Sequence, residues 1–442
     1  MTGAMRSAPT DLLEVHAKLL PVRLLLEKIC FRSLLCTYTL PENHLLRKLA
    51  QKAFQKQDVK KYPPPLRLLP RLFSPSSPSK IETITPRTQP HTYIPSFTRD
   101  IAVNKDQAAK QERLNKRHIN IYTDGSGIDN SAGAAAVLIN KDDPSKSQVL
   151  RYYIGPLTQH NTYEAEGVGV ILGLELLRKS RAARQEDTNM IGLDGKSVIE
   201  ATFNLKHRPG QYILNEILRV TDALSTGTTP PLVLTWISGH VGLHGNELAD
   251  EEAKRAAQGE TGGSCPLPSF LRGKTLPASV SALKQHFHTT LLHQWGEDFA
   301  QSPRLRRFTV IDGKGVRSQF LDVTAKLARR QTSVLVQLRT GHIPLNAHLH
   351  RITKSDTPNC PHCETQGHHL KETVQHFIQE CPAYQKERYQ LKKELGRDGD
   401  SLKAIFRSTD NIKALLRYIG QTERLATTFG DVSHYDMDDD TV

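Results

Sequence analysis

Apolar and polar residues follow two different spacings in the middle of this chain. Short alternating or continuous apolar runs predict strands at 118–124, 132–140, 148–154, 189–194 and 231–237. Longer segments with apolar residues at helical spacing predict helices at 162–179, 196–204, 211–225 and 246–257. The first three strands leave no room for crossover helices and should form an antiparallel meander, whereas the later ones can pair in parallel. The pattern predicts an α/β domain at 118–260, with a mixed five-stranded sheet flanked by helices.

Outside that domain the pattern changes several times. Apolar residues at helical spacing predict a helical segment over 1–60. Prolines mixed with Ser and Thr predict an extended linker over 61–117, and a stretch rich in Gly, Pro and Ser predicts a second linker at 259–277. Helical patterns return over 278–400. Aspartates near the end predict a disordered acidic tail over 425–442.

The composition is that of a globular protein with a basic bias. The chain has 442 residues, of which 38% are hydrophobic and 24% charged, and this length indicates about two to three domains. The net charge of +13 and the pI near 9.4 favour a polyanionic partner, because clustered Lys and Arg bind phosphates and release counterions. Several basic residues fall in the helical patterns after residue 300: Arg304, Arg306, Arg307, Lys326, Arg329 and Arg330.

The sequence predicts neither a membrane span nor a secretory signal. The most apolar N-terminal stretch, residues 19–40, is broken at short intervals by Arg23, Glu27, Lys28 and Arg32. Of the six cysteines, three stand apart and three cluster near histidines, a pattern that favours a reducing compartment and a metal site. We therefore expect an intracellular protein, in the nucleus or cytoplasm, without a membrane partner.

Acidic residues fall at the ends of predicted elements in the central domain. Asp124 closes the first strand beside a glycine turn, and Asp194 closes a short apolar strand. Glu166 lies near the start of a predicted helix, and Asp250 follows His240 by ten residues. Mg²⁺ prefers carboxylate oxygens, and two divalent ions about 3.5 to 4 Å apart can support phosphodiester hydrolysis. The set predicts a hydrolytic site that binds two Mg²⁺ or Mn²⁺ ions.

Each member of this set also has a simpler interpretation. Glu164 lies two positions from Glu166, so only one of the two can face Asp124 from a helix. Either glutamate could be a solvated carboxylate that the helix dipole favours. Asp250 could instead be the (i, i+4) ion-pair partner of Lys254. A loop histidine such as His240 is often only solvated.

A second metal site is predicted near the C-terminus. Cys360 and Cys363 form a CxxC pair, and His376 and Cys381 follow. Three thiolates and one imidazole suit tetrahedral Zn²⁺, and a closed site of this kind serves folding. The spacing predicts one structural zinc ion in a knuckle at 360–381 that contacts nucleic acid; reduced, half-buried cysteines are the alternative. Other histidines could replace His376 as the fourth ligand: His362, His368 and His369.

The order of the motifs resembles that of the type I RNase H family. They read Thr-Asp-Gly-Ser at 123–126, Glu-Ala-Glu at 164–166, Leu-Asp at 193–194, and Trp-Ile-Ser-Gly-His through Leu-Ala-Asp at 236–250. The resemblance implies an RNase H-like fold and a metal-dependent endonuclease that cuts the RNA strand of RNA:DNA hybrids.

The same resemblance implies a role for each residue of the central site. Asp124 would bridge two metal ions, Glu166 and Asp194 would hold one of them, and Asp250 would hold the other. His240 would shuttle a proton or help to release product. The helix that begins at 164–166 matches the family with Glu166, not Glu164, as the ligand.

The flanking regions resemble fungal non-LTR retrotransposon polyproteins. Residues 335–390 are similar to the region that follows RNase H there, and residues 1–55 are similar to the connection between reverse transcriptase and RNase H. The resemblance implies a reverse transcriptase of the parent element as a partner. The chain itself has no Tyr-x-Asp-Asp polymerase motif.

Two other functions compete with the nuclease. One is a catalytically inactive retrotransposon remnant that binds nucleic acid through its basic helices and zinc motif. The other is a transposase or integrase, which is also built on acidic residues; the Thr-Asp-Gly-Ser strand and the spacing of His240 and Asp250 disfavour it. Strand joining of DNA ends without hybrid cleavage would reverse this order.

Overall fold

The chain divides into two compact units. A computed structural model describes residues 3–55, 81–85, 89–90, 92–115, 119–140, 143–181, 189–204, 206–225, 232–239, 243–312, 316 and 318–434. One unit, Lys28–Thr289, is called the sheet unit, and the other, Met1–Glu27 with Thr290–Val442, is called the helical unit.

Seven strands of the sheet unit form one mixed sheet. They are β1 (Thr98–Asp100), β2 (Ile119–Ile128), β3 (Ser131–Asn140), β4 (Gln148–Pro156), β5 (Asn189–Leu193), β6 (Leu232–Trp236) and β7 (Gly262–Gly263). The order across the sheet is β1-β6-β5-β2-β3-β4-β7. β2, β3 and β4 form the predicted antiparallel meander, and β5, β6 and β1 continue from β2 in parallel. The α/β fold class is confirmed; the five predicted strands are present, and two short edge strands were missed.

The helices are numbered in chain order. The first nine are α1 (Thr10–His16), α2 (Val22–Tyr38), α3 (Leu45–Gln55), α4 (Lys105–Arg113), α5 (Thr162–Arg181), α6 (Lys196–Phe203), α7 (Gln211–Leu224), α8 (His244–Ala257) and α9 (Val280–Ala300). The remaining helices are α10 (Leu305–Ile311), α11 (Phe320–Thr324), α12 (Arg329–Thr340), α13 (Asn346–Arg351), α14 (Pro361–Thr365), α15 (Gln385–Leu395), α16 (Leu402–Ile405), α17 (Thr409–Thr422) and α18 (Ala426–Phe429). A π-helical turn spans His376–Glu380.

Helices cover both faces of the sheet. Successive strand side chains point to opposite faces, and in β2 the buried Ile121 packs with α5 and α7 while the buried Tyr122 packs with α8. Gly133 of β3 permits close packing of α8, because an added Cβ would lie 2.1 Å from the backbone nitrogen of Ala257. Both faces of the meander are therefore core, which explains the long run of buried small and apolar residues along β3.

The structure divides the predicted helical segment at 1–60, which contains α1 to α3, between the two units and corrects the predicted linker at 61–117. Residues 1–27 belong to the helical unit, whereas the rest of that segment belongs to the sheet unit. Within the predicted linker, β1 pairs with β6 at the edge of the sheet and α4 follows it. The high proline content led to the prediction of a linker, and a short strand and a helix within it were missed.

Glu82, also within the predicted linker, is part of the sheet unit's core. Its side chain is 1% exposed and accepts hydrogen bonds from the backbone N–H groups of Gly210 (2.6 Å) and Val280 (2.8 Å). Nearby, Ile81 forms a bridge with Ala278. Burial raises the pKa of Glu82 to about 7. This carboxyl therefore joins the segment before the sheet to the starts of α7 and α9.

The helical unit has its own apolar core, and buried polar groups attach α1 to it. Arg339 of α12 is 3% exposed; its guanidinium pairs with Asp312 and donates to Nε2 of His16 at 3.2 Å. Burial, followed by the Arg339 charge, lowers the pKa of His16 to about 4. The neutral imidazole can therefore accept that hydrogen bond, and α1 is an integral part of this unit.

The structure also corrects the predicted tail over 425–442. Residues Ala426–Phe429 form α18, and the side chains of Leu425, Phe429 and Val432 are buried in the core of the helical unit. The other predicted acidic positions, beyond residue 434, lie outside the described residues. Among the helices that the structure describes, none has the length and apolar character needed to cross a membrane.

Candidate active site

Strand pairing brings two of the predicted carboxylates together. β2 and β5 are parallel neighbours, and Thr123 pairs with Leu193. Asp124 and Asp194 are the next residues along the two strands. Asp194 directly follows the end of β5, whereas Asp124 lies within β2, which continues to Ile128 beyond the end predicted from the sequence. Two aspartates that are seventy positions apart in sequence therefore lie side by side on neighbouring inner strands of the sheet.

Glycine 125 allows the third carboxylate to approach. An added Cβ at Gly125 would lie 2.3 Å from the backbone nitrogen of Glu166 and 2.5 Å from the carbonyl carbon of Ala165. Only a glycine permits α5 to cross β2 this closely. The Thr-Asp-Gly sequence thus supplies both a carboxylate and the space that brings Glu166 beside it.

Asp124, Glu166 and Asp194 form a compact group. One ligand oxygen from each lies within 4.8 Å of the others. Asp124 is 7% exposed, and Glu166 and Asp194 are half-buried. Oε2 of Glu166 is buried without a hydrogen-bond partner among the described residues. A buried, unpartnered carboxylate oxygen beside two other carboxylates has the chemistry of a cation site.

The electrostatics of the group show the same need for a cation. Burial, followed by the charges of Asp194 and Asp250, raises the pKa of Asp124 to about 7. Burial, followed by Asp124 and Asp194, raises the pKa of Glu166 to about 9. Carboxyl groups this close cannot all ionise without compensation. Divalent cations would supply the missing positive charge.

Asp250 of α8 completes the set predicted from the sequence. Its carboxylate contributes to the raised pKa of Asp124, and its side chain is 29% exposed. Nζ of Lys254 contacts its carboxylate at 2.7 Å, one helical turn away. Asp250 therefore does form the ion pair with Lys254 that the simpler interpretation predicted. It forms this pair at the border of the carboxylate group.

Residues 116–258 match the RNase H family. The matched range begins just before β2 and ends after α8, so it contains Asp124, Glu166, Asp194 and Asp250. It is called the RNase H domain below. A search of curated proteins found no match.

Solved structures of RNase H proteins resemble part of the chain. RNase H1 from the archaeon Halobacterium salinarum is 21% identical, with 32% of this chain and 97% of that chain covered and a TM-score of 0.24. LC11-RNase H1, solved in complex with an RNA/DNA hybrid, is 20% identical, with coverages of 32% and 96% and a TM-score of 0.26. The N-terminal RNase H domain of rv2228c from Mycobacterium tuberculosis is 22% identical, with coverages of 32% and 95% and a TM-score of 0.25.

Glu164 occupies a different place in the RNase H domain from Glu166. It is 1% exposed, and its Oε2 accepts from the backbone N–H of Asn161 at 3.2 Å while Oδ1 of Asn161 accepts from the N–H of Glu164 at 2.9 Å. This reciprocal pair caps the start of α5. The side chain of Glu164 thus lies at the N-terminus of α5, whereas that of Glu166 lies in the carboxylate group.

Sequence reasoning missed residues that position Asp194 and Glu166. The indole N–H of Trp236 donates to the carbonyl oxygen of Asp194 at 3.1 Å. An added Cβ at Gly195 would lie 2.8 Å from Oε2 of Glu166, and one at Gly239 would lie 2.8 Å from Oδ2 of Asp194. The signal was available, because Gly195 and Gly239 follow the ends of β5 and β6 within three residues. His240, the predicted proton carrier, lies outside the described residues.

The predicted zinc ligands meet in the helical unit. Cys360, Cys363, His376 and Cys381 each offer a ligand atom within 4.8 Å of the others, and all four are buried. The Cys360 and Cys381 sulfurs are 3.7 Å apart, and Nε2 of His376 is 3.5 Å from Sγ of Cys363. His376 therefore faces the thiols with Nε2, while its Nδ1 lies 3.8 Å from Glu380.

The predicted alternatives to His376 lie elsewhere. His362, His368 and His369 are exposed, and His369 contacts Glu364. All three cysteines of the group are free thiols. Three sulfurs and one imidazole nitrogen converge in a closed, buried space, which is the donor set of a structural Zn²⁺ site.

Proposed function

We propose that this chain hydrolyses the RNA strand of RNA:DNA hybrids with the help of divalent metal ions. The observation that carries the proposal is the convergence of Asp124, Glu166 and Asp194 within 4.8 Å, bordered by Asp250, in a domain that matches the RNase H family. Several carboxylates gathered in one place suit phosphodiester chemistry, since the substrate is itself an anion and needs cations between it and the protein.

The residues present fit Mg²⁺ or Mn²⁺, since all of the donor atoms are carboxylate oxygens. Two such ions would neutralise charge on the scissile phosphate and lower the pKa of the attacking water. Asp124, the most central carboxylate, would contribute to both ions. Glu166 and Asp194 would hold one ion, and Asp250 would hold the other after Lys254 turns away from it.

Several protein residues would prepare the site before any ion binds. Trp236 fixes the backbone at Asp194 through its indole hydrogen bond, and the packing at Gly125 fixes the position of Glu166. Protons held on Asp124 and Glu166 must leave when cations arrive. His240 would carry a proton near this site. A 2′-hydroxyl on the cut strand would distinguish RNA from DNA.

The cysteine group in the helical unit would hold one Zn²⁺. Its four ligands leave no open position, so the ion would stabilise the fold and not take part in hydrolysis. Glu380, 3.8 Å from Nδ1 of His376, would orient the imidazole in the way that carboxylates orient histidine ligands in other metal sites.

The flanking motifs support an origin in a non-LTR retrotransposon, with a reverse transcriptase as an associated activity. The resemblance at 335–390 includes the zinc ligands, and the resemblance at 1–55 covers α1 to α3. In this proposal the chain acts inside the cell, where hybrids form during reverse transcription.

A substrate panel tests the proposed activity. The native chain, produced in a host that lacks its own RNase H, is incubated with Mg²⁺ and an end-labelled RNA:DNA hybrid, single-stranded RNA, duplex RNA and duplex DNA. We expect cleavage of the hybrid's RNA strand alone, with 5′-phosphate and 3′-hydroxyl ends.

Two other results would contradict the proposal. Tight hybrid binding without cleavage in either Mg²⁺ or Mn²⁺ would identify an inactive nucleic-acid-binding remnant. Joining of DNA ends without hybrid cleavage would identify a DNA strand-transfer enzyme.

A further inference from the structure

A group of hydrogen-bonding side chains in the helical unit lies outside both metal sites. It consists of Ser7, His342, His348 and Arg351, and is called the Ser7 cluster. The imidazole of His348 is 3% exposed, His342 is half-buried, and Ser7 and Arg351 are exposed. The two rings lie 4.6 Å apart. A buried histidine thus supports an exposed arginine and an exposed hydroxyl.

The hydrogen bonds of Arg351 determine the proton positions on both rings. One guanidinium nitrogen, Nη2, contacts Nε2 of His342 at 3.1 Å and Nδ1 of His348 at 2.8 Å. A guanidinium can only donate, so both contacted ring nitrogens must be unprotonated acceptors. The remaining nitrogens, Nδ1 of His342 and Nε2 of His348, then carry the protons.

These protons point at a single hydroxyl oxygen. Oγ of Ser7 lies 3.3 Å from Nδ1 of His342 and 3.2 Å from Nε2 of His348. Two donors fill the two acceptor positions of a hydroxyl, so the O–H of Ser7 is left to donate outward. The Nη1 and Nε groups of Arg351 have no hydrogen-bond partner among the described residues. The outward face of the cluster therefore offers donors only.

No carboxylate neutralises Arg351 among the residues that the structure describes. A cavity of about 110 Å³ lies beside it, lined in part by His348, Arg351 and Glu372. The charge of Glu372 is already paired, since Arg424 donates to it at 2.7 and 2.8 Å and the N–H of Asn346 at 2.6 Å. The cavity thus lies beside the Arg351 guanidinium and contains no carboxylate charge left to neutralise it.

We propose that the Ser7 cluster binds a backbone phosphate of a nucleic-acid strand. A tetrahedral anion with several acceptor oxygens matches a guanidinium edge and a hydroxyl donor. The net charge of +13 favours a polyanion as the source of that phosphate. The inference concerns binding by the helical unit and does not depend on hydrolysis at the RNase H domain.

Anisotropy titrations of a labelled single-stranded RNA with the full chain, at several salt concentrations, test this site. We expect Arg351→Gln to weaken binding about 3- to 10-fold and to reduce the slope of log affinity against log salt by about 0.7, the value for one phosphate contact on a single strand. Ser7→Ala should weaken binding by about 2-fold, because it removes one neutral donor. Arg397→Gln is the matched control, since Arg397 is an exposed arginine of the same unit.

Arg351→Gln that binds RNA as tightly as the native chain, or loses no more than Arg397→Gln, would overturn the proposal. Melting temperature and zinc content are measured on every variant, and His342→Gln provides a second variant that keeps the guanidinium. Histidine NMR signals of the native chain separate the two sources of phosphate. Shifts at His342 and His348 with RNA support the proposal; shifts with inorganic phosphate but not with RNA contradict it.

Discussion

The carboxylate group of the RNase H domain and the cysteine group of the helical unit both hold several acidic side chains close together, but they differ in their access to solvent. Each brings together side chains that repel one another when ionised. Burial and like neighbours raise the pKa of Asp124 to about 7 and of Glu166 to about 9. Burial also raises the pKa of Cys381 to about 12, and the neighbouring thiols add to this shift. In both places a bound cation would replace protons.

The two groups differ in access to solvent. The cysteine group is closed, because Cys360, Cys363, His376 and Cys381 are at most 3% exposed. The carboxylate group is open at one side, where the Asp250 side chain is 29% exposed and held by a surface lysine. A closed set of four ligands can only hold its ion, whereas an open set can admit water and substrate. Access distinguishes the proposed structural site from the proposed catalytic one.

The largest expected effect is on the closed site. Cys363→Ser removes one of four buried ligands, so zinc binding should be lost and the helical unit should be destabilised by several kcal/mol, on the order seen when metal binding is coupled to folding. Zinc content and thermal unfolding measure this. Cys36→Ser is the matched control, because Cys36 is exposed. Equal stability of the two variants would contradict a structural role for the cysteine group.

A methyl group at the open site should cost activity without unfolding it. Gly195→Ala places a Cβ 2.8 Å from Oε2 of Glu166, so we expect about a 10- to 100-fold loss of hybrid cleavage from the displaced ligand. The rate is measured across a Mg²⁺ titration. Gly296→Ala serves as the control, since a Cβ there meets nothing within 4 Å. Native Mg²⁺ dependence in Gly195→Ala would contradict the expected displacement of a Glu166 ligand by the added methyl group.

The open site should release protons when it binds Mg²⁺. Folded-state pKa values of about 7 for Asp124 and about 9 for Glu166 exceed the ordinary values of 3.8 and 4.5. The metal-free fold thus binds more protons than the unfolded chain, and its stability should fall as pH rises through this window. Mg²⁺ affinity should rise by up to about 10-fold per pH unit for each proton released.

Calorimetry in buffers of different ionisation enthalpy counts these protons. The control is Glu82→Gln, which removes another buried carboxyl with a raised pKa, about 7, outside the site. This variant should alter the pH dependence of stability but not that of Mg²⁺ binding. Proton-free Mg²⁺ binding by the native chain would contradict the proposed ligands.

The smallest expected effect concerns the border of the open site. Lys254→Met removes the ion pair with Asp250, which is partly exposed and contributes less than about 1 kcal/mol. Freed of its competitor, Asp250 should bind a cation slightly better, and the Mg²⁺ concentration for half-maximal cleavage should fall by about 2-fold. A large loss of activity instead would assign Lys254 a direct contact with substrate.

The sequence predicted most of the RNase H domain because its signals are local. Asp124 follows the alternating residues of β2, Asp194 directly follows the apolar β5, and α5 carries its apolar residues at helical spacing around Glu166. Ligand clustering at Cys360 and Cys363 also followed from short spacing. In these segments the local pattern and the tertiary environment agree.

The missed features depend on contacts between distant parts of the chain. Nothing local marks Glu82 as a core residue, because its burial comes from backbone donors at Gly210 and Val280. Residues 98–100 are too short and polar to predict a strand, and only pairing with β6 makes them one. The predicted start of the disordered tail at residue 425 was wrong for the same reason, since Phe429 and Val432 are buried by other helices.

Catalysis at the carboxylate group is tested by cleavage of an RNA:DNA hybrid by Asp124→Asn, with the zinc content of the variant measured in parallel. We expect a fully folded protein with native zinc whose cleavage rate falls by about 10³-fold or more, since the metal site contributes several kcal/mol to the transition state. Asp129→Asn, the same change at an exposed left-handed turn position that asparagine tolerates, should cleave at the native rate. Native cleavage by Asp124→Asn, or equal losses in both variants, would contradict the assignment of catalysis to the open carboxylate site.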